Sequence, residues 1–352
     1  MMNTLERAPD DRMAWVPCIP FLAMHFVPLG ALFTGAHWSS WIVAFVLYYA
    51  RVFFITGGYH RYLAHRSFTT SRVVQFLLAL GGTTAVQKGP LWWAAHHRHH
   101  HKYSDQAEDV HSPKKGLFWS HIGWILCRKY DFTREELIPD LMKYPELRWL
   151  NRWPAVPPLV LALLVLGLGW LITRSVEGAF GYVFVGFFLS TVALWHATFL
   201  VNSFTHIWGR RRFATRDTSR NSMLIALLTG GEGWHNNHHH FQISCRQGFY
   251  WWEIDITWYI LLAMSKLRLV GNLRAPNDRA LTRHLIKQGA TDIGMFQKHW
   301  ERALAALTAA QNRTGELAAE QKAALEKLLA DTRAKVEEIA RITAGSEPAG
   351  NA

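Results

Sequence analysis

"WSSWIVAFVLYYARVFFITGGYHRYLAH", Trp38 to His65, runs from pure hydrocarbon into a pair of imidazoles. Residues 38–57 are apolar apart from Arg51, and about 20 such residues let a helix cross the bilayer core. Arg51 either snorkels to the surface or pairs inside a bundle. His60 and His65 follow directly, five apart. A straight α-helix does not put that pair on one side, so a break or turn is expected between them. The segment therefore delivers two metal-capable side chains to one end of a membrane helix.

Three more apolar runs extend the pattern, at residues 15–33, 154–172 and 179–201. The first contains Pro17, Pro20 and Pro28, which should bend it. Short links, "TGAH" and "TRSVEG", join the runs into two hairpins. The first link has no Lys or Arg and the second has one, whereas residues 59–153 carry fourteen. That bias assigns both termini and the long middle segment to the cytoplasm. Residues 73–86 are apolar but too short to span, and read as an interfacial or protein-buried helix. The fold class is thus an all-α integral membrane protein, with four transmembrane helices and a cytosolic helical cap holding a histidine-rich dimetal centre. Residues 1–14 read as a cytosolic lead, 15–275 as the membrane domain, and 276–352 as a soluble helical extension with a disordered end.

Composition agrees. The 352 residues include 19 histidines and 17 tryptophans, half are apolar, and the net charge is +12. Cys18, Cys127 and Cys245 form no CxxC pair, which argues against a disulfide framework or zinc ribbon. The start, "MMNTLERAPDDR", lacks the basic region of a signal peptide. Nothing points to a nucleic-acid partner.

The remaining histidines come in bursts. "HRHHH" holds His97, His100 and His101, and "HNNHH" holds His235, His238 and His239, both at i, i+3, i+4. On a helix each triplet projects from one face. "VNSFTHIWG" ends the fourth run and adds Asn202 and His206. Lone histidines such as His25, His37 and His196 read as ordinary hydrogen-bonded residues, but two HxxHH triplets on one side of a membrane do not. One metal takes four to six ligands, so nine imidazoles imply two metals. Carboxylates and histidines able to hold the far ring nitrogens are Asp105, Glu108, Asp109, Glu232, Asp255, His111 and His121.

The order HxxxxH, HxxHH, HxxHH, with NxxxH before the last, resembles the membrane fatty acyl desaturases of the stearoyl-CoA desaturase type. "HRYLAHRSF", "HRHHHKYSDQAEDVHSPKKGLFWSHIGW" and "GEGWHNNHHHF" look like the three histidine boxes, and the likeness runs from about Trp15 to about Leu269. It implies a di-iron centre on His60, His65, His97, His100, His101, His206, His235, His238 and His239, with Asn202 reaching one iron through a water. It also implies dioxygen as co-substrate and a cis double bond, first at the ninth carbon, in an acyl chain lying in a bent tunnel. One departure concerns the carrier. Animal acyl-CoA enzymes have Arg-Asp before the second box, where this chain has Ala95-His96. Lys88, Arg98, Lys102, Lys114 and Lys115 could still attract an anionic acyl carrier. Acyl-CoA is therefore the expected carrier, with lipid-bound or carrier-protein-bound chains as alternatives. No GxGxxG or HPGG motif is present, so a separate ferredoxin- or cytochrome-like donor with its reductase is expected. The rival readings are a di-iron membrane hydroxylase or ketolase and a membrane metal transporter. Ligands at one end of nearly uncharged spans disfavour the transporter.

Overall fold

A computed structural model describes residues 5–286. Residues 287–352 of the expected soluble helical extension, with its disordered end, lie outside the described residues.

The first apolar run folds as two short helical pieces, α1 (Val16–Met24) and α2 (Val27–Thr34), bent by 45°. Pro17, Pro20 and Pro28 withhold three backbone donors here, so regular hydrogen bonding cannot continue. The second run is α3 (Trp38–Ala64), followed by α4 (Arg72–Thr83) and α5 (Pro90–Tyr103). The third and fourth runs are α6 (Val156–Thr173) and α7 (Val176–His206). α3, α6 and α7 are long and apolar enough to cross a membrane, and α1–α2 together pass the same test. Beyond them lie α8 (His235–His240), α9 (Ile256–Lys266) and α10 (Asp278–Thr282). The described residues are mostly helical, with one small antiparallel pair, β1 (Thr69–Thr70) on β2 (Val270–Gly271).

α3 does not break between His60 and His65. Residues Phe54–Ala64 wind as a π-helix, and the His65 N–H donates to the His60 carbonyl at 3.1 Å. An i→i+5 turn brings residues five apart onto one face, which removes the need for the expected break. The cause is packing, because every residue from Ile55 to Ala64 is buried. At Gly58 a Cβ would meet the Leu78 carbonyl at 3.0 Å, so α4 closes on bare backbone. α4 itself, the ambiguous short run, turns Leu78 and Ala79 inward and Val73 and Leu77 outward.

The main core gathers around this π-helical half, with Tyr59, Leu63, Leu78, Leu91, Leu147, Leu194 and Leu261. α7 also contains a π-helical stretch, Val183–Leu189. Residues 276–286, grouped above with the extension, pack on the same unit. The Ala214 N–H donates to the His284 carbonyl at 2.8 Å, and the His240 ring bonds the Ala280 carbonyl at 2.8 Å.

Candidate metal centre

Four helices bring the imidazoles together. The π-helical end of α3 presents His60 and leads into His65. α5 presents His97, His100 and His101, α7 ends in His206, and α8 presents His235, His238 and His239. They fall into two groups. His60, His65, His97, His101 and His238 converge in one, and His100, His206, His235 and His239 in the other, with candidate ligand atoms within 4.8 Å of one another.

In the first group, Nε2 atoms face each other at 3.0 Å (His60–His238), 2.8 Å (His65–His97), 2.9 Å (His97–His101) and 2.9 Å (His101–His238). In the second, His206 and His235 approach at 3.1 Å. Nitrogens 2.0–2.1 Å from one ion and at right angles to each other lie about 3.0 Å apart. The far nitrogens explain which atom is free to ligate. His60 Nδ1 lies 2.5 Å from Glu232, His100 Nδ1 3.0 Å from Asp109, His239 Nδ1 2.8 Å from Asp217, and His206 Nδ1 3.5 Å from Asp105. Each carboxylate accepts a hydrogen bond from the Nδ1–H, which leaves the Nε2 lone pair inward. Nε2 of His100 and of His239 is buried with no hydrogen-bond partner. The convergent nitrogens of the two groups, with these two orphaned in the second, fit two metal ions.

The electrostatics agree. Burial holds His65, His97, His101, His235 and His238 well below the ordinary histidine range, and neighbouring imidazoles push them further. Neutral imidazole is the ligating form. Burial raises the Asp109 carboxyl, but His100 and His111 overcome it and bring it down to about 2. Asp105, Asp217 and Glu232 are likewise lowered against burial by their histidines.

Arg61 organises the layer behind. It is fully enclosed and bonds Asp255 at 2.9 Å, Glu232 at 3.1 Å and the Cys245 carbonyl at 2.7 Å. His111 stacks on His100 at 4.3 Å. His121 bonds instead to Ser203 Oγ and to His196, and Glu108 is exposed.

Below the clusters runs an apolar space. One cavity of about 480 Å³ is lined by Phe21, Met24, Trp92, Trp195 and Phe199. A smaller one, about 40 Å³, continues to Val52, Ile55 and Thr229. Trp93, His97, Thr198 and Asn202 line both. At this junction Gln87 donates to Thr198 Oγ1 at 3.0 Å, and Trp93 stacks on His97 at 4.9 Å.

A family model described as fatty acid desaturase matches residues 36–271. The chain belongs to the fatty acid desaturase family. The desaturase is 35% identical over 273 residues to an sn-2 palmitoyl-lipid 9-desaturase of Nostoc sp. (strain 36), covering 75% of this chain and 91% of the relative. It is 37% identical over 285 residues to an sn-1 stearoyl-lipid 9-desaturase of Anabaena variabilis, covering 78% and 99%. It is 39% identical over 245 residues to an acyl-CoA C20 Delta5-desaturase of Anemone leveillei, covering 68% and 76%. It is therefore a membrane oxidoreductase with a metal centre that places a double bond in a fatty acyl chain.

Several residues of this desaturase were invisible to spacing arguments. Asp217, in "TRDTSR", has no histidine nearby in sequence. Arg61 sits inside the first box but reads as a surface charge. Conversely, three of the five cations assigned to the carrier are spent inside the fold. Arg98 holds Asp140 and the carbonyls of Leu63, Ala64 and Leu137. Buried Lys114 bonds the Asp105 carbonyl, and buried Lys115 bonds Asp11. Lys88 pairs with Asp131 at 2.5 Å and lines the larger cavity, while Lys102 is exposed.

Proposed function

We propose that the chain is an oxygen-dependent Δ9 acyl desaturase whose centre is two irons held by the nine histidines. His60, His65, His97, His101 and His238 would hold one iron, and His100, His206, His235 and His239 the other, with Asn202 contributing through a water. The observation that carries the reading is the convergence of nine Nε2 lone pairs directly over a bent apolar cavity. When bound, the irons supply an oxidant strong enough to take hydrogen from unactivated carbon, using dioxygen as co-substrate.

The protein's own part is placement. The apolar walls hold the acyl chain, and the joint at Trp93, Thr198 and Asn202 sets which carbons lie under the histidines. Gln87 and Thr198, bonded to each other, keep that joint in place. The same walls keep bulk water from the reacting carbons. The two relatives named as 9-desaturases support the ninth carbon. The carrier is CoA, a membrane lipid or a carrier protein.

Four spans, with the histidines and both termini in the cytoplasm, follow from the charge bias. The electrons come from a separate ferredoxin- or cytochrome-like donor with its reductase, drawn to a basic face. Purified protein that turned over with NAD(P)H and no added carrier would remove this part.

The test is fatty-acid profiling with double-bond localisation, in a host lacking its own aerobic desaturase. Wild type should yield a new Δ9 monounsaturated acid and His238→Ala none. A double bond elsewhere would overturn the position and leave the reaction class.

A further inference from the structure

We propose that the bent first span, α1 with α2, is a side gate through which an acyl chain passes directly between the bilayer and the larger cavity. The inference rests on the acyl reading of that cavity.

α1 is a wall one helix thick. Pro17, Phe21 and Met24 line the cavity, opposite Trp195 and Phe199 of α7. The same stretch turns Val16, Ile19 and Phe26 outward, with 76%, 57% and 68% of their surface exposed. For a helix in a bilayer, that outer face meets lipid. No residue of α1 or α2 is buried, whereas the π-helical end of α3 is buried from Ile55 to Ala64. Displacing α1 therefore exposes the cavity to hydrocarbon while leaving the main core untouched.

The segment is anchored at its ends and latched in the middle. Before α1, the Ala14 N–H donates to the Leu126 carbonyl at 2.8 Å. In α2, Gly30 is packed on the Phe184 ring so closely that an added Cβ would meet it at 2.6 Å and the ring would have to shift. Between these points the backbone is softened by prolines and by the 45° bend.

The latch is a file of three imidazoles that the metal centre does not use. The His25 Nδ1–H donates to the Phe21 carbonyl at 2.9 Å, which leaves His25 Nε2 as an acceptor. His196 Nε2 meets it at 3.2 Å, and His121 Nε2 meets His196 Nδ1 at 3.1 Å. His121 Nδ1 then reaches Ser203 Oγ at 2.9 Å. Each neutral ring donates once and accepts once, so the file joins α1 to α7 and to the segment around His121. Beside it, Phe21 stacks on Trp195 at 4.9 Å. One hydrogen bond, with the Phe21 and His25 rings packed on those of Trp195, His196 and Phe199, thus holds the middle of the wall. An acyl chain admitted there never has to cross water.

The test locks the latch in the full-length protein in liposomes. His25→Cys and His196→Cys, in a Cys18→Ser background, are joined by a short reducible bis-thiosulfonate linker. The probe is a phosphatidylcholine whose stearoyl chain carries a diazirine, with photolabelling of the Trp93 and Thr198 peptides read by mass spectrometry. Labelling should fall about tenfold or more with the linker in place and return on reduction, as for other lids that gate access. The single-thiol variants should keep their labelling. Equal labelling in the locked and unlocked states overturns the gate and leaves the acyl cavity standing. No label in either state overturns the gate, and leaves an acyl cavity served by CoA-bound or carrier-protein-bound chains.

Discussion

Asp217 Oδ2 lies 2.8 Å from His239 Nδ1, both of them buried, although 22 positions separate the two residues. The contact assigns the proton to Nδ1 and turns Nε2 into the four-histidine cluster. Asp217→Asn removes the charge and keeps the shape. It should lower metal affinity at that cluster about 10–100-fold, the usual cost of losing such a partner. Metal analysis after dialysis against a weak chelator should read close to one ion per chain, against an expected two for wild type.

The two buried arginines of α3 should behave in opposite ways. Arg61 neutralises Asp255 and Glu232. Arg61→Met strands both carboxylates and should cost about 3–5 kcal/mol. Arg51 bonds the Ser190 and Thr191 hydroxyls and the Leu47 and Thr84 carbonyls and lies over the Phe187 ring, with no carboxylate among these partners. Those hydroxyls also donate to the Gly186 and Phe187 carbonyls, so Arg51→Met leaves them satisfied. It should shift stability by no more than about 1 kcal/mol. Thermal unfolding of both variants in detergent checks the contrast.

Val52, Ile55 and Thr229 line the far end of the smaller cavity. Val52→Phe should shorten the preferred acyl chain and Val52→Ala should lengthen it. Each methylene that gains or loses its place is worth about 0.8 kcal/mol, or about fourfold in kcat/KM. Product distributions from a mixed C14–C20 feed measure the shift.

Acid should loosen the metal-free protein well before its carboxylates matter. His65, His97, His101, His235 and His238 are held below the ordinary histidine value of about 6.5. The folded state then binds fewer protons than the unfolded one. Stability is complete above about pH 6.5 and is lost as pH falls below it, with each histidine contributing up to about 1.4 kcal/mol per pH unit. The depressed Asp105, Asp109, Asp217 and Glu232 add a second loss only below about pH 4. A Tm series from pH 8 to pH 5 on the metal-free form should fall steeply below 6.5. A flat profile would mean that these rings are not buried in the neutral form.

Much of this was legible because hydropathy and histidine spacing are local signals. The apolar runs marked α3, α6 and α7, and the i, i+3, i+4 triplets lie on α5 and α8. The limits were equally physical. α3 runs on to Ala64 and α7 to His206, beyond the apolar runs, because protein encloses their polar ends where lipid could not. The π-helix was hidden because it depends on α4 closing on Gly58, a contact between distant segments. Asp217 and Arg61 were missed for the same reason, since their partners arrive only with the fold. Lys114, Lys115 and Arg98 read as a basic face because sequence shows a charge but not its partner.

The π-helical winding of α3 also ties two otherwise separate requirements to one count of residues. Deleting a single residue between His60 and His65 would let the segment relax to ordinary α-helix, in which each residue turns the chain by about 100°. Four such steps make about one turn, so the two histidines would still share a face, and the outward residues Trp41, Ile42 and Phe45 would keep nearly their phase relative to His65. The phase of the lipid-facing stripe and the aim of the histidines are therefore set together. In this helix the loss of one residue inside the wound stretch is absorbed by rewinding to α, whereas a one-residue change elsewhere in the span would swing the lipid-facing stripe away from the histidines.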